Sequence, residues 1–144
     1  MTLKKHWDTI YTNRQPEETS WYQPTPIFSL ELLAAAGVNA GSRVIDVGGG
    51  ASRLVDELLD QGLSDITVAD VSEVALLRSQ SRLDQAASDV NWLVGDVLEM
   101  PLGGPFDVWH DRAVCHFLTE SVDRDQYVEQ LTNSLAPNGH VVIA

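Results

Sequence analysis

Five short runs rich in β-branched and aromatic residues alternate along this chain with stretches whose apolar residues recur at helical spacing. That alternation leaves few folds open. The runs are Arg43–Val47, Ile66–Ala69, Val90–Val94, Phe106–Trp109 and His140–Ala144. Ser29 is placed to cap a first helix through Leu30, Leu32, Leu33 and Ala36, with Gly37 ending it. Ser52 caps a second with Leu54, Val55, Leu58 and Leu59 on its apolar face, closed by Gly62, and Ser72 opens a third through Val74, Leu76 and Leu77. A fourth carries Val122, Tyr127, Val128, Leu131 and Leu135 before the turn Pro137-Asn138-Gly139. Strands separated by helices cannot pair as hairpins, so they pair in parallel and the helices cover both faces. The expected fold is α/β: a doubly wound sheet of five parallel strands over residues 29–144. Residues 1–28, polar and aromatic with three prolines, read as an N-terminal arm built of a short helix and an irregular stretch.

In such sheets a ligand sits beyond the carboxyl ends of the strands, where the strand order reverses. The residues following each run are therefore the informative ones. The first run is followed by Gly48-Gly49-Gly50, where the backbone can turn tightly and approach a ligand. The dinucleotide pattern G-x-G-x-x-G is not met, because its last position is Arg53. Asp46, two residues before Gly48, would repel a pyrophosphate but favours a ligand carrying an ammonium and a sulfonium. It can equally brace the loop by hydrogen bonds. Asp70 ends the second run 24 residues later, where a carboxylate can accept both hydroxyls of a ribose, or simply serve the turn before Ser72. Asp96 follows the third run and can accept from an adenine amino group. Each acid alone is ambiguous. Three in succession at three strand ends, beside a glycine loop, form a set.

Val44-Ile45-Asp46-Val47-Gly48-Gly49-Gly50-Ala51-Ser52, Thr67-Val68-Ala69-Asp70, Gly95-Asp96-Val97 and Leu135-Ala136-Pro137-Asn138-Gly139 resemble, in order and spacing, the motifs of the class I S-adenosylmethionine (SAM)-dependent methyltransferases. One departure is Ser52, which stands where the family's G-x-G-x-G pattern has its last glycine. The resemblance implies a Rossmann-like fold, SAM as cofactor with S-adenosylhomocysteine as product, and cofactor contacts from Asp46, Gly48, Gly49, Gly50, Asp70, Val71, Asp96, Val97 and His110. His6-Trp7-Asp8, Ser20-Trp21-Tyr22-Gln23 and Trp109-His110-Asp111-Arg112-Ala113-Val114-Cys115-His116-Phe117-Leu118 are similar to a narrower bacterial group related to protein-lysine methyltransferases. It implies methyl transfer to a protein lysine or a small-molecule nucleophile, and a cytoplasmic protein. Members of the wider family carry a further helix and two more strands after the fifth, which leads us to expect an incomplete sheet here. The apolar run 140–144 would then be an open edge, and self-association through it is expected.

Methyl transfer from a sulfonium needs alignment above all, and a base only where the acceptor starts protonated. In the family the residues after strand four border the methyl group, which makes Asp111, His110 and His116 the catalytic candidates. Asp111 can orient an ammonium, and either histidine can take a proton near neutrality. The alternatives are an Asp111–Arg112 ion pair and a His116 packed on Phe117. Trp21 and Tyr22 can wall an acceptor pocket or pack the arm.

Charge narrows the partners. The formal net charge is -12, with nine basic residues against 21 acidic ones, which disfavours nucleic acid and anionic membrane surfaces. Cys115 is the only cysteine, so neither an intrachain disulfide nor a cysteine-rich zinc site is possible, and no metal is expected. A domain holding SAM or S-adenosylhomocysteine without turnover is the alternative function. A nucleotide-dependent oxidoreductase is disfavoured by Asp46 and Arg53.

Overall fold

The computed structural model describes residues 2–144. Its five strands are β1 (Arg43–Val47), β2 (Asp65–Asp70), β3 (Val90–Val94), β4 (Phe106–Asp111) and β5 (Leu135–Ile143). They form one sheet of order β3-β2-β1-β4-β5, every pairing parallel. The expected doubly wound α/β architecture is what the chain adopts. The order reverses between β1 and β4, so their carboxyl ends flank the crevice where such sheets bind ligands.

Helices α2 (Ile27–Ala35), α3 (Leu54–Asp60) and α4 (Glu73–Leu83) supply Leu33, Leu54, Val55, Leu58 and Leu76 to one core, against Val44, Ile66, Val68, Val108 and Val142. The opposite face carries Ile45, Val47, Ala69 and Trp109, covered by α5 (Ser121–Ser134) through Tyr127 and Leu131 and by Val97 and Leu102. Alternation along the strands produces this division: Val44 and Asp46 face one layer, Ile45 and Val47 the other. The same rule parts the last two residues of β4. His110, opposite Asp46 in register, faces the α2–α4 layer, and Asp111 faces α5.

Several local expectations change. The α2 helix begins at Ile27 after Pro26, not at a Ser29 cap, because proline's fixed φ and missing N–H suit a helix entrance. Ser29 lies inside the first turn, buried. The β4 strand runs two residues further than Trp109, so His110 and Asp111 are strand residues and not loop residues. On α5, Val122 and Val128 are exposed, because only the stripe of Tyr127, Leu131 and Ser134 at i, i+4 and i+7 faces the sheet. Leu135 belongs to β5, whose pairing with β4 shifts register across Pro137-Asn138-Gly139, where Asn138 has φ +64°. Beyond that turn Val142 points into the core while Val141 and Ile143 are exposed on an unpaired edge.

The arm is more regular than its composition suggests. Residues Leu3–Asn13 form α1, whose N-cap Thr2 accepts from the Lys5 amide. This helix packs along α4, and the Arg78 guanidinium donates to Tyr11 O at 2.8 Å and to Gln15 Oε1 at 2.8 Å.

Candidate functional site

The glycine loop lies over the end of β2: the Gly48 and Gly49 amides both donate to Ala69 O, at 2.7 and 3.3 Å. Gly48 has φ +69°, and a side chain there would run into Val114 on the segment after β4. Gly49 is required for a different reason. A Cβ at this position would stand 2.6 Å from Asp46 Oδ2 and 2.6 Å from Val68 Cγ1. The bare backbone therefore lets a carboxylate lie directly beneath the loop. The loop is fixed from the α4 side, where buried Ser79 Oγ donates to Gly50 O at 2.7 Å.

Asp46 is 3% exposed, and its Oδ1 lies 2.8 Å from His110 Nδ1. No hydrogen bond among the described residues engages its Oδ2. Next along the sheet, Asp70 Oδ1 accepts from the Ser72 amide at 2.8 Å, while its Oδ2 faces Gly50. Burial, reinforced by the negative charges of Asp46 and Asp8, pushes the Asp70 carboxyl up to about 7. Asp96 Oδ1 accepts from the Leu98 amide at 2.9 Å and holds the turn after β3. Val71 is half-buried beside Asp70, and Val97 is packed into the α5-side core. The three acids thus stand at three adjacent strand ends.

The strand-four residues are engaged more fully than their sequence suggests. His110 is buried, with Nδ1 on Asp46 and Nε2 2.9 Å from Ser29 Oγ, so neither ring nitrogen is left for an acceptor's proton. Asp111 is 1% exposed: Oδ1 accepts from the Ala113 and Val114 amides at 2.9 and 2.8 Å. Its Oδ2 accepts from the Cys115 amide at 2.9 Å and from Tyr127 OH at 2.5 Å. Tyr127 OH also accepts from Trp109 Nε1 at 2.9 Å. Burial, then the nearby Asp111 charge, pushes the Tyr127 phenol far above its ordinary value. Asp111 therefore ties the segment after β4 to α5, and the alternative of an ion pair with Arg112 is not what forms. Arg112 reaches the arm instead, donating to Trp21 O at 2.9 Å and to Gln23 Oε1. His116 is exposed and packs on Phe117, ring centroids 4.2 Å apart, with no hydrogen bond among the described residues.

The arm closes over these strand ends. Tyr11, Trp7 and Trp21 form an aromatic cluster against Ala51 and Ala75, and Trp21 Nε1 donates to Tyr11 OH at 3.0 Å. Trp7 also meets Phe117 edge to face at 6.1 Å, so the arm touches both the glycine loop and the β4 segment. Asp8 Oδ1 accepts from Ser72 Oγ at 2.7 Å, joining α1 to the N-cap of α4. Ser29, Asp8 and Tyr127 were not legible as site residues, since each is defined by a partner more than fifteen positions away.

A methyltransferase-domain profile matches residues 45–141, from the middle of β1 to β5. The chain belongs to the SAM-dependent methyltransferase family. SAM is the cofactor of this family, as the loop and acids had suggested. Among curated proteins, this methyltransferase domain is 29% identical over 101 residues to nodulation protein S of Sinorhizobium fredii (strain NBRC 101917 / NGR234). That alignment spans 70% of the chain and 46% of the relative. Nodulation protein S of Rhizobium fredii is 32% identical over 77 residues, 54% of this chain and 43% of the relative. The chain thus spans less than half the length of the curated relatives it matches.

Solved structures share the fold. A protein described under "Conversion of a Disulfide Bond into a Thioacetal Group during Echinomycin Biosynthesis" superposes with TM-score 0.81 at 22% identity, over 99% of this chain and 59% of its own. The glycopeptide N-methyltransferase MtfA complexed with sinefungin gives TM-score 0.71 at 19% identity, covering 90% of this chain and 57% of MtfA.

The residues of this site suit a cationic sulfonium cofactor better than a dinucleotide. Asp46 and Asp70 each keep an oxygen toward the glycine loop, and the Arg112 guanidinium is spent on the arm. A pyrophosphate would meet two carboxylates there. No described helix is long and apolar enough to cross a membrane.

Proposed function

We propose that this domain binds SAM across the carboxyl ends of β1, β2 and β3 and transfers its methyl group to a protein lysine or a small-molecule nucleophile, in the cytoplasm. The observation that carries the reading is the set of Asp46, Asp70 and Asp96 at consecutive strand ends around Gly48–Gly50. Bound there, the cofactor supplies a methyl group on a sulfonium leaving group. Asp70 accepts the ribose hydroxyls, which requires its carboxylate form, and Asp96 accepts from the adenine amino group beside Val71 and Val97. Asp46 Oδ2 faces the cationic end of the molecule. The aromatic arm excludes water, which strengthens these interactions.

The acceptor approaches from the segment after β4. His116 alone of the three catalytic candidates has a ring in solvent, and it is the group we place to receive the acceptor's proton. The chain's -12 charge favours a cationic acceptor such as a lysine side chain, as in the group that the 109–118 segment resembles. Incubation with methyl-labelled SAM and a bacterial lysate tests this reading: label should pass to a protein band or a small amine. A second reading, a domain that holds SAM or S-adenosylhomocysteine without turnover, is favoured by the full structural engagement of His110 and Asp111. SAM binding with no label transferred to any lysate fraction would select it.

A further inference from the structure

We infer that Ser29 and His110 are positioning residues, acting through Asp46 to aim its second oxygen at the charged end of the cofactor. Three buried polar residues from three elements form one hydrogen-bonded line: Ser29 on α2, His110 on β4 and Asp46 on β1. The line belongs to no turn or cap, and none of its members is needed to close a helix. A carboxylate only accepts, so the His110 Nδ1–H donates to Asp46 Oδ1. On the far side of the ring the Ser29 hydroxyl, which can donate or accept, satisfies Nε2 at 2.9 Å. The Asp46 carboxylate sets the tautomer, and the Ser29 hydroxyl satisfies the far nitrogen and holds the ring in place.

With Oδ1 held at 2.8 Å, the carboxylate plane is fixed and Oδ2 stands where a Gly49 Cβ would come within 2.6 Å. The line therefore controls the direction of the carboxylate oxygen that lies beneath Gly49. Without the Ser29 hydroxyl the buried Nε2 loses its partner. The ring then loses one of the two contacts that hold its orientation, and the Nδ1–H that fixes Asp46 Oδ1 is no longer held in line. Asp46 rotates, and the negative oxygen leaves the loop.

This inference rests on the cofactor reading above, and two ligands separate the two ideas. SAM carries the ammonium and the sulfonium; 5′-methylthioadenosine keeps the adenosine but has a neutral thioether and no amino-acid group. Calorimetric titration of the full chain with both should show Ser29→Ala weakening SAM roughly three- to tenfold while 5′-methylthioadenosine stays within about twofold. His110→Ala should show the same selective loss, and His110→Asn, which keeps a donor near the Nδ1 position, should regain part of it. Parallel loss of both ligands, or no loss of either, overturns the positioning role, with the melting temperature reporting whether each variant is folded. Parent protein that binds neither ligand overturns the cofactor reading itself, and this inference with it.

Discussion

Tyr127→Phe removes one oxygen and strips two buried groups of a partner. Trp109 Nε1, in a residue that is 0% exposed, loses its acceptor at 2.9 Å, and Asp111 Oδ2 loses a donor at 2.5 Å while keeping the Cys115 amide. The phenylalanine ring fills the same space, so no cavity term is added. An unsatisfied buried donor costs about 1–3 kcal/mol, and a hydrogen bond to a charged group contributes about 1.5–3 kcal/mol. Because Asp111 retains its other bonds, about 3 kcal/mol is a fair total. Unfolding entropy of about 2.1 cal/mol/K per residue gives ~0.3 kcal/mol/K for a chain of this length, so the melting temperature should fall by about 10 °C. Thermal unfolding followed by circular dichroism reads this directly. A fall of less than about 2 °C would mean that the Trp109–Tyr127–Asp111 lock does not hold the β4 segment onto α5.

The raised Asp70 carboxyl, at about 7, ties cofactor affinity to pH. The ribose needs the carboxylate, so SAM affinity should rise as pH climbs through 7, and binding near neutrality should release a proton. Titrations in buffers of different ionisation enthalpy measure that release, and identical heats in all of them would contradict it. From the same group, stability should decline as pH rises from about 4 toward 7 and level off above, because the folded state holds the proton that the unfolded chain has lost. Were the open edge of β5, where Val141 and Ile143 are exposed, to pair with a second copy of the chain, the light-scattering mass would grow with concentration and Val141→Lys would suppress that growth. A clean monomer across the micromolar range would dispose of it.

The layered fold was readable because its signals are local. Alternating periods placed the five strands, Ser72 capped α4 as its position suggested, and β1 and β3 came out at their expected bounds. The acids at the strand ends were readable for the same reason: a residue following a parallel strand has its place set by the sheet. The errors arose where tertiary partners decide. His110 and Asp111 read as residues following the fourth strand, yet two more residues of strand carried each to a different face and gave each a full set of partners. Ser29 read as a cap because serine favours helix ends, and nothing within four residues of it shows that it meets a histidine 81 positions away. Val122 and Val128 read as core because helical spacing tells that an apolar stripe exists and not how much sheet lies beneath it.

The account stands on SAM occupying the strand ends, and calorimetry of the parent chain and of Asp70→Ala tests it most directly. The parent should bind SAM at one site and ignore NAD, and Asp70→Ala should weaken SAM by about 1–3 kcal/mol, the cost of leaving the ribose hydroxyls without their acceptor. SAM binding unchanged in a folded Asp70→Ala protein, or NAD bound in preference to SAM, would contradict it.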